Sequence, residues 1–417
     1  MTVTRRWMMI GAGALVAGCG GGMTMPSVSG GGGPSDPTLL PQPNAGWDAW
    51  VAAFRGRAQA DGISASTLNA AFRGAGFLPG VVERDRNQTE FTRTLEDYLA
   101  IVASETKVST GRAKLREQAS TLSAIEARYG VPSRVVAAIW GMESNYGARR
   151  GDIPVVSATS TLAYDGRRGD FFEAQLMAAL RLLQRGDTVP SRLTGSWAGA
   201  MGHTQFIPTT YQEYAVDFGG DGRRDIWSED PTDGLASTAN YLSRSGWRRG
   251  APWGLEVRLP SGFDAGLAGR GTKRSSADWS ALGVSAAAGG GLPDGGAGSI
   301  LIPTGPTGPA FLVFRNFDAI LRYNNAEKYG LGVGHLSDRL AGAGPLRGEF
   351  PPDKYGLTSS EQRQGQERLT RAGRDAGAAD GVFGQKTEAA ISSYQRARGL
   401  AVTGAPSQSL LQTLRAG

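Results

Sequence analysis

The sequence predicts a mainly α-helical (α+β) protein with a small β-containing insertion and a separate helical unit at its C-terminal end. Three observations carry this. Apolar residues recur at helical spacing through most of the stretch 47–340. Two short runs, Leu255 to Leu259 and Ala310 to Phe314, interrupt that pattern with strand character. A Gly/Pro/Ser-rich stretch at 20–46 and a second break at 345–357 set off a body at 47–344 and a final unit at 358–417.

In chain order, Arg5 and Arg6 precede an apolar stretch at 7–16 that is too short to span a bilayer, so residues 1–19 read as an export signal. Val16-Ala17-Gly18-Cys19 matches a bacterial lipobox, and Cys19 is the only cysteine of the chain. Lipidation of Cys19 is therefore expected, with Gly20 after it pointing to the outer membrane of a Gram-negative bacterium. The paired arginines leave general and twin-arginine export both open. Residues 20–46 carry too little apolar surface to fold and read as a leash.

Helices are expected at 47–59, 66–74, 91–105, 109–129, 132–145, 170–184 and 232–245, with Pro132 in the first turn of the fifth. The two strand runs flank a Gly-rich loop at 286–298, and helices return at 316–323 and 326–340. The final unit reads as three helices, at 364–372, 386–398 and 407–414. Its expected core is Leu369, Val382, Phe383, Ala390, Ile391, Tyr394, Leu400, Val402, Leu410 and Leu414. With no disulfide or metal to support it, that core would be marginal alone.

Composition excludes several chemistries. Two histidines and one cysteine in 417 residues rule out a His/Cys metal site and a Cys–His nucleophile pair. A net charge of +6, dispersed along the chain, is not the footprint of a nucleic-acid binder.

One carboxylate stands out. Val135, Ala138, Ile139 and Met142 repeat at helical spacing, and Glu143 follows beside that face, just before Asn145 or Gly147 would end the helix. Partial desolvation there raises a glutamate pKa, as a general acid for glycosidic cleavage requires. An exposed helix-end glutamate is the plainer alternative.

Three further segments matter. Ser196 to Pro208 combines small residues, the polar Ser196 and Gln205, and aromatics, which suits a sugar site or, equally, a tight packing turn. Asp217 to Asp225 begins like an EF-hand loop with Gly222 at its sixth position, but Gly219 brings no ligand at the third and no Glu stands at the twelfth. Asp230 or Asp233 could close a calcium shell, and a solvated polar turn is the alternative. Arg322 to Tyr329 places two tyrosines and Asn324 at a loop–helix junction, which on its own is a helix cap.

These segments stand in one order with Ala239-Asn240-Tyr241 and Gly246-Trp247. Together they resemble the membrane-bound lytic murein transglycosylase B family, glycoside hydrolase family 103, over 47–340. The final unit, with Asp380-Gly381-Val382-Phe383-Gly384 and Gln395, is similar to a three-helix peptidoglycan-binding module.

The resemblance implies a lysozyme-like catalytic domain with a long glycan groove. Glu143 becomes the single catalytic acid/base, and Ser196, Gln205, Tyr241, Tyr323, Asn324, Tyr329 and Tyr98 fall on substrate-binding positions. Asp217, Asp221 and Asp233 fall near the family's calcium-type loop. Peptidoglycan glycan strands would be the substrate, wall-synthesis or division proteins would be candidate partners, and no cofactor would enter the chemistry. Action would be periplasmic, from the lipid anchor. The implied reaction cleaves the bond between N-acetylmuramic acid and N-acetylglucosamine and leaves a 1,6-anhydro end. A hydrolytic muramidase and an inactive wall-binding lipoprotein are the alternatives.

Overall fold

The computed structural model describes residues 36–87 and 94–417. The expected export segment with its expected lipobox at 16–19, the expected leash as far as residue 35, and residues 91–93 of an expected helix lie outside the described residues.

The end of the expected leash is part of the body. Leu39 is buried with Leu78 and Val81, Asp36 pairs with Arg84 at 2.7 Å, and Gln42 N–H donates to Phe77 O at 2.8 Å. Asn44 then caps α1 (Ala45–Ala60) by accepting from Trp47 N–H. Next come α2 (Ala65–Ala71) and α3 (Pro79–Arg86), and beyond the gap α4 (Leu95–Val102). The helix expected over 109–129 is two, α5 (Glu105–Glu117) and α6 (Ala119–Tyr129), broken at Gln118. Ser104 caps the first, and Gly130, at φ 72°, ends the second.

Helix α7 (Ser133–Ser144) carries Glu143, with Pro132 at its cap rather than inside its first turn. Strand β1 (Ile153–Pro154), α8 (Val155–Asp165), α9 (Gly169–Gln184), β2 (Thr194–Gly195), α10 (Pro208–Tyr214) and α11 (Thr232–Arg244) follow. Helix α8 shows no stripe in the sequence because it is buried on every side and four of its residues are Ser or Thr. Their hydroxyls bond to backbone, within the helix and across to the chain before α3. Thr159 Oγ1 donates to Val155 O at 2.6 Å, while Ser157 and Thr161 accept from Gly76 and Leu78 N–H.

The insertion is a four-stranded antiparallel sheet, ordered β4 (Ser285–Ala286), β3 (Gly254–Arg258), β6 (Ala310–Val313), β5 (Ser299–Leu301). Helix α12 (Ser276–Ala281) places the buried Trp279 against it. The chain returns through α13 (Arg315–Tyr323) and α14 (Glu327–Leu340). None of the described helices is long and apolar enough to cross a membrane.

The stretch expected as a linker at 345–357 is held down. Glu256 of β3 accepts from Arg347 N–H at 2.9 Å and Gly348 N–H at 2.6 Å, and Leu357 is buried. Helices α15 (Ser359–Arg371), α16 (Gln385–Ala397) and α17 (Gln408–Ala416) close around Leu369, Ala390, Ile391, Tyr394, Leu410 and Leu414. Val382 and Phe383 are only half-buried, and Leu400 and Val402 are not core at all, at 39% and 50% exposed. The reason is Gln395, whose Oε1 accepts from Thr403 and Gly404 N–H. The loop backbone is thereby tied to α16, which leaves those two side chains outward.

A half-buried acid in α14, Asp338, predicts a pH-dependent stability. Burial pushes the Asp338 carboxyl up to about 6, although Trp253 Nε1–H donates to it at 3.1 Å. The folded state therefore holds this proton more tightly than the unfolded state does. The stability this confers is complete below the ordinary value of 3.8 and is lost as pH rises through about 6. Asp338→Asn keeps an acceptor for Trp253. It is expected to raise stability at pH 8 by about 2 kcal/mol, with little change at pH 4, read from melting curves at the two pH values.

Candidate active site

Val135 through Gly141 are all buried, so α7 is an internal helix rather than one with a single apolar face. It packs against α5, α6, α11 and α14. Met142 and Glu143 emerge half-buried at its end. Asn145 (φ 51°) and Tyr146 (φ 59°) then adopt the left-handed conformation in succession, before Gly147. Two such non-glycine residues cost about 1–2 kcal/mol each. Ser144 holds the reversal: its Oγ accepts from Gly147 N–H at 2.9 Å and donates to His203 O.

His203 is a structural tie. Its Nδ1 accepts from Trp140 Nε1–H at 3.1 Å, and its Nε2 lies 2.8 Å from Ser228 O, which requires the neutral Nε2–H tautomer. Burial pushes its pKa down, consistent with that role.

Tyrosines surround the carboxylate. Tyr329 Oη donates to Glu143 Oε1 at 2.6 Å. The Tyr323 ring lies parallel to Tyr329, 6.5 Å away between centroids, and its Oη donates to Thr204 O. Tyr241 meets Tyr323 edge-on at 5.1 Å, its own hydroxyl donating to Arg322 O, and Tyr214 packs on Tyr241 at 4.6 Å. Burial first, and then the Glu143 charge, push the Tyr323 and Tyr329 hydroxyls well up, so both stay protonated donors. Tyr98 stands on the Tyr329 side, with the Lys328 ammonium 5.6 Å from its ring centre.

A compact hairpin forms the next wall. Met201 and Phe206 exchange backbone hydrogen bonds at 2.9 and 3.1 Å around Gly202-His203-Thr204-Gln205. Gln205 is left-handed (φ 56°), and its Nε2 donates to Gly202 O and Arg150 O at 2.9 and 3.0 Å. Ser196 Oγ accepts from Ala198 and Ala200 N–H, which shapes the preceding turn. Phe206 packs against the rings of Tyr241 and Tyr323 at 6.0 and 5.8 Å, so this wall meets the tyrosine cluster. Asn324 Oδ1 accepts from Ala326 N–H at 3.1 Å, a bond that turns α13 into α14.

Carboxylate oxygens of Asp217, Asp221 and Asp233 lie within 4.8 Å of one another. Asp230 takes no part, since it accepts from Thr232 N–H instead. Asp233 accepts from Phe218, Gly219 and Asp225 N–H. Burial pushes its carboxyl up against those three bonds, and Asp217 adds repulsion. Three converging acidic oxygens fit an oxygen-seeking divalent ion such as calcium. Asp233 is in the first turn of α11, which carries Tyr241 two turns on, so this loop sets one wall of the cleft.

The structure thus gathers Glu143, Tyr329, Tyr323, Tyr241 and Tyr98 with the Gln205 hairpin, while giving Ser196 and Asn324 backbone-shaping bonds. Sequence reasoning missed Tyr214 and the carbonyl of Thr204. Pro208, at the first position of α10, was a usable signal, because a helix begun there places Tyr211 and Tyr214 one turn apart.

A lysozyme-like helical fold closed around one tyrosine-bonded glutamate defines the class. The chain belongs to the transglycosylase SLT domain family, which matches residues 46–338, and residues 358–414 match a peptidoglycan binding domain. It is similar to membrane-bound lytic murein transglycosylase B of Escherichia coli strain K12, 32% identical over 222 residues. That match spans 51% of this chain and 58% of the relative. The crystal structure of SltB3 from Pseudomonas aeruginosa in complex with NAG-anhNAM-pentapeptide is 48% identical, covering 89% of this chain and 100% of that one, with a TM-score of 0.72. The Escherichia coli lytic transglycosylase Slt35 in complex with calcium is 27% identical, covering 72% and 93%, with a TM-score of 0.60.

Proposed function

We propose that this protein is a peptidoglycan lytic transglycosylase in which Glu143 acts alone as acid and then base. The observation that carries the reading is the Tyr329–Glu143 hydrogen bond inside a tyrosine-walled cleft. Protonated Glu143 gives its proton to the glycosidic oxygen between N-acetylmuramic acid and N-acetylglucosamine as the bond to C1 breaks. The substrate's own N-acetyl group steadies the positive charge at C1. The muramoyl C6 oxygen then bonds to C1, and its proton passes to Glu143, which closes the 1,6-anhydro ring and restores the acid. No water is consumed.

Tyr329 holds the carboxyl in place through both steps and stabilises its ionised form between them. The tyrosine rings offer flat apolar area to sugar faces, and Gln205 and Ser196 offer polar edges. No second carboxylate is needed. Of the two acids that follow Glu143 in sequence, Asp152 is exposed and Asp165 is paired with Arg86 at 2.6 Å. The unit at 358–417 would hold the glycan, and lipidated Cys19 would keep the enzyme on the periplasmic face of the outer membrane. The test is digestion of purified sacculi: soluble muropeptides with anhydro ends are expected, and mainly reducing ends would overturn the reading in favour of a muramidase.

Asp217, Asp221 and Asp233 would hold a calcium ion that stiffens the loop below α11. Adding calcium to chelator-treated protein is expected to raise the melting temperature, and Asp233→Asn is expected to remove that rise. No shift in the wild type would contradict the assignment.

A further inference from the structure

We propose that Lys107 is a positioning residue that sets the proton affinity of Glu143 by fixing a positive charge at the end of α7. The inference rests on the acid/base reading of Glu143. A helix leaves its last carbonyls without intrahelical partners. At the end of α7 the Asn145 N–H, which would ordinarily close on Gly141 O, bonds to Trp140 O. Lys107 Nζ takes its place, donating to Gly141 O at 3.0 Å, two residues before the carboxylate.

The approach of the two helices is built in. A Cβ at Gly111 of α5 would lie 2.2 Å from Tyr146 Oη, and one at Gly141 would lie 2.5 Å from the same ring. Two missing side chains therefore let Tyr146 sit between α5 and α7. Lys107, one turn before Gly111, is carried onto the end of α7 beside it.

The charged groups acting on Lys107 are of both signs. Glu143 is on α7, and Arg149 is in the loop that follows. These two are the charges that act on Lys107; Arg339 of α14 is instead engaged by Glu105 of α5, and α14 brings Tyr329 to the carboxylate. Burial, then Arg149, push the Lys107 ammonium down to about 8, and Glu143 opposes them. Near neutral pH the lysine is still charged, and its charge favours ionised Glu143. That makes Glu143 a readier proton donor and stabilises the carboxylate left after donation.

The experiment is a carboxyl ¹³C titration of glutamate-labelled protein, with Glu143→Gln identifying the Glu143 signal, run beside the pH profile of kcat/KM. Lys107→Gln keeps a donor for Gly141 O without charge, and Lys107→Arg keeps the charge. In Lys107→Gln the Glu143 midpoint and the alkaline limb of activity are both expected to rise by about 1 pH unit, with kcat about tenfold lower. Lys107→Arg is expected to hold both near wild type. An unmoved midpoint in Lys107→Gln, with only a lowered melting temperature, would make Lys107 a helix cap and overturn the proposal. Persistent lysis by Glu143→Gln would instead remove the acid/base reading, and the ¹³C midpoint would still report whether Lys107 tunes the carboxyl.

Discussion

Glu143→Gln is expected to reduce lysis of sacculi by about 10³-fold while leaving binding to the wall intact. The glutamine keeps nearly the same volume and can still accept from Tyr329, whose hydroxyl donates to the glutamate at 2.6 Å. What it loses is the exchangeable proton, and proton transfer by a positioned group is worth about 10² to 10⁴ in rate. The substitution also removes both halves of the cycle at once, since one carboxyl serves as donor and acceptor. Residues 358–414, which match a peptidoglycan binding domain, are untouched by the change, so co-sedimentation with sacculi should persist. Wild-type release of muropeptides by this variant would show that the proton comes from elsewhere.

Gly202→Ala is expected to give the second large effect, on stability and activity together. Gly202 has φ 69°, and a Cβ there would lie 2.2 Å from the Ile226 carbonyl oxygen, which is backbone and cannot rotate away. That carbonyl also accepts from His203 N–H at 3.1 Å, so displacing it disturbs the hairpin that carries Gln205 and supports Tyr323 through Thr204. Left-handed strain and overpacking together amount to about 3 kcal/mol. Thermal denaturation should show a melting point lower by several degrees, with activity falling further than the loss of folded protein explains. An unchanged melting point would mean that the hairpin tolerates rearrangement.

Much of this architecture was legible in the sequence, for physical reasons that also explain the rest. Helix α9 spans Gly169–Gln184 against an expected 170–184, because its apolar stripe and polar face alternate with the helical period. The same rule failed for α8, where burial on every side removes the stripe and hydroxyls bonded to the backbone imitate a polar loop. It failed in the other direction for Leu400 and Val402, which look like core but are turned outward by the Gln395 side chain. Asp36 to Gly46 read as leash because the anchoring contacts, to Arg84 and Phe77, come from a distant stretch of chain.

At the site, Glu143 was visible from its place at the end of an apolar run. The tyrosines at 241, 323 and 329 entered only through the order of segments, since 186 residues separate Tyr329 from the carboxylate it bonds. Lys107 gave no signal. Its role depends on two glycines, at 111 and 141, that matter only once α5 and α7 are packed.

The central claim is that the substrate's own C6 hydroxyl, not water, completes the reaction begun by Glu143. Digestion of sacculi in ¹⁸O-water, followed by mass spectrometry of the released muropeptides, tests it directly. Anhydro-ended products that carry no ¹⁸O at the muramoyl terminus are expected. Reducing ends labelled with one ¹⁸O per cleavage would contradict it.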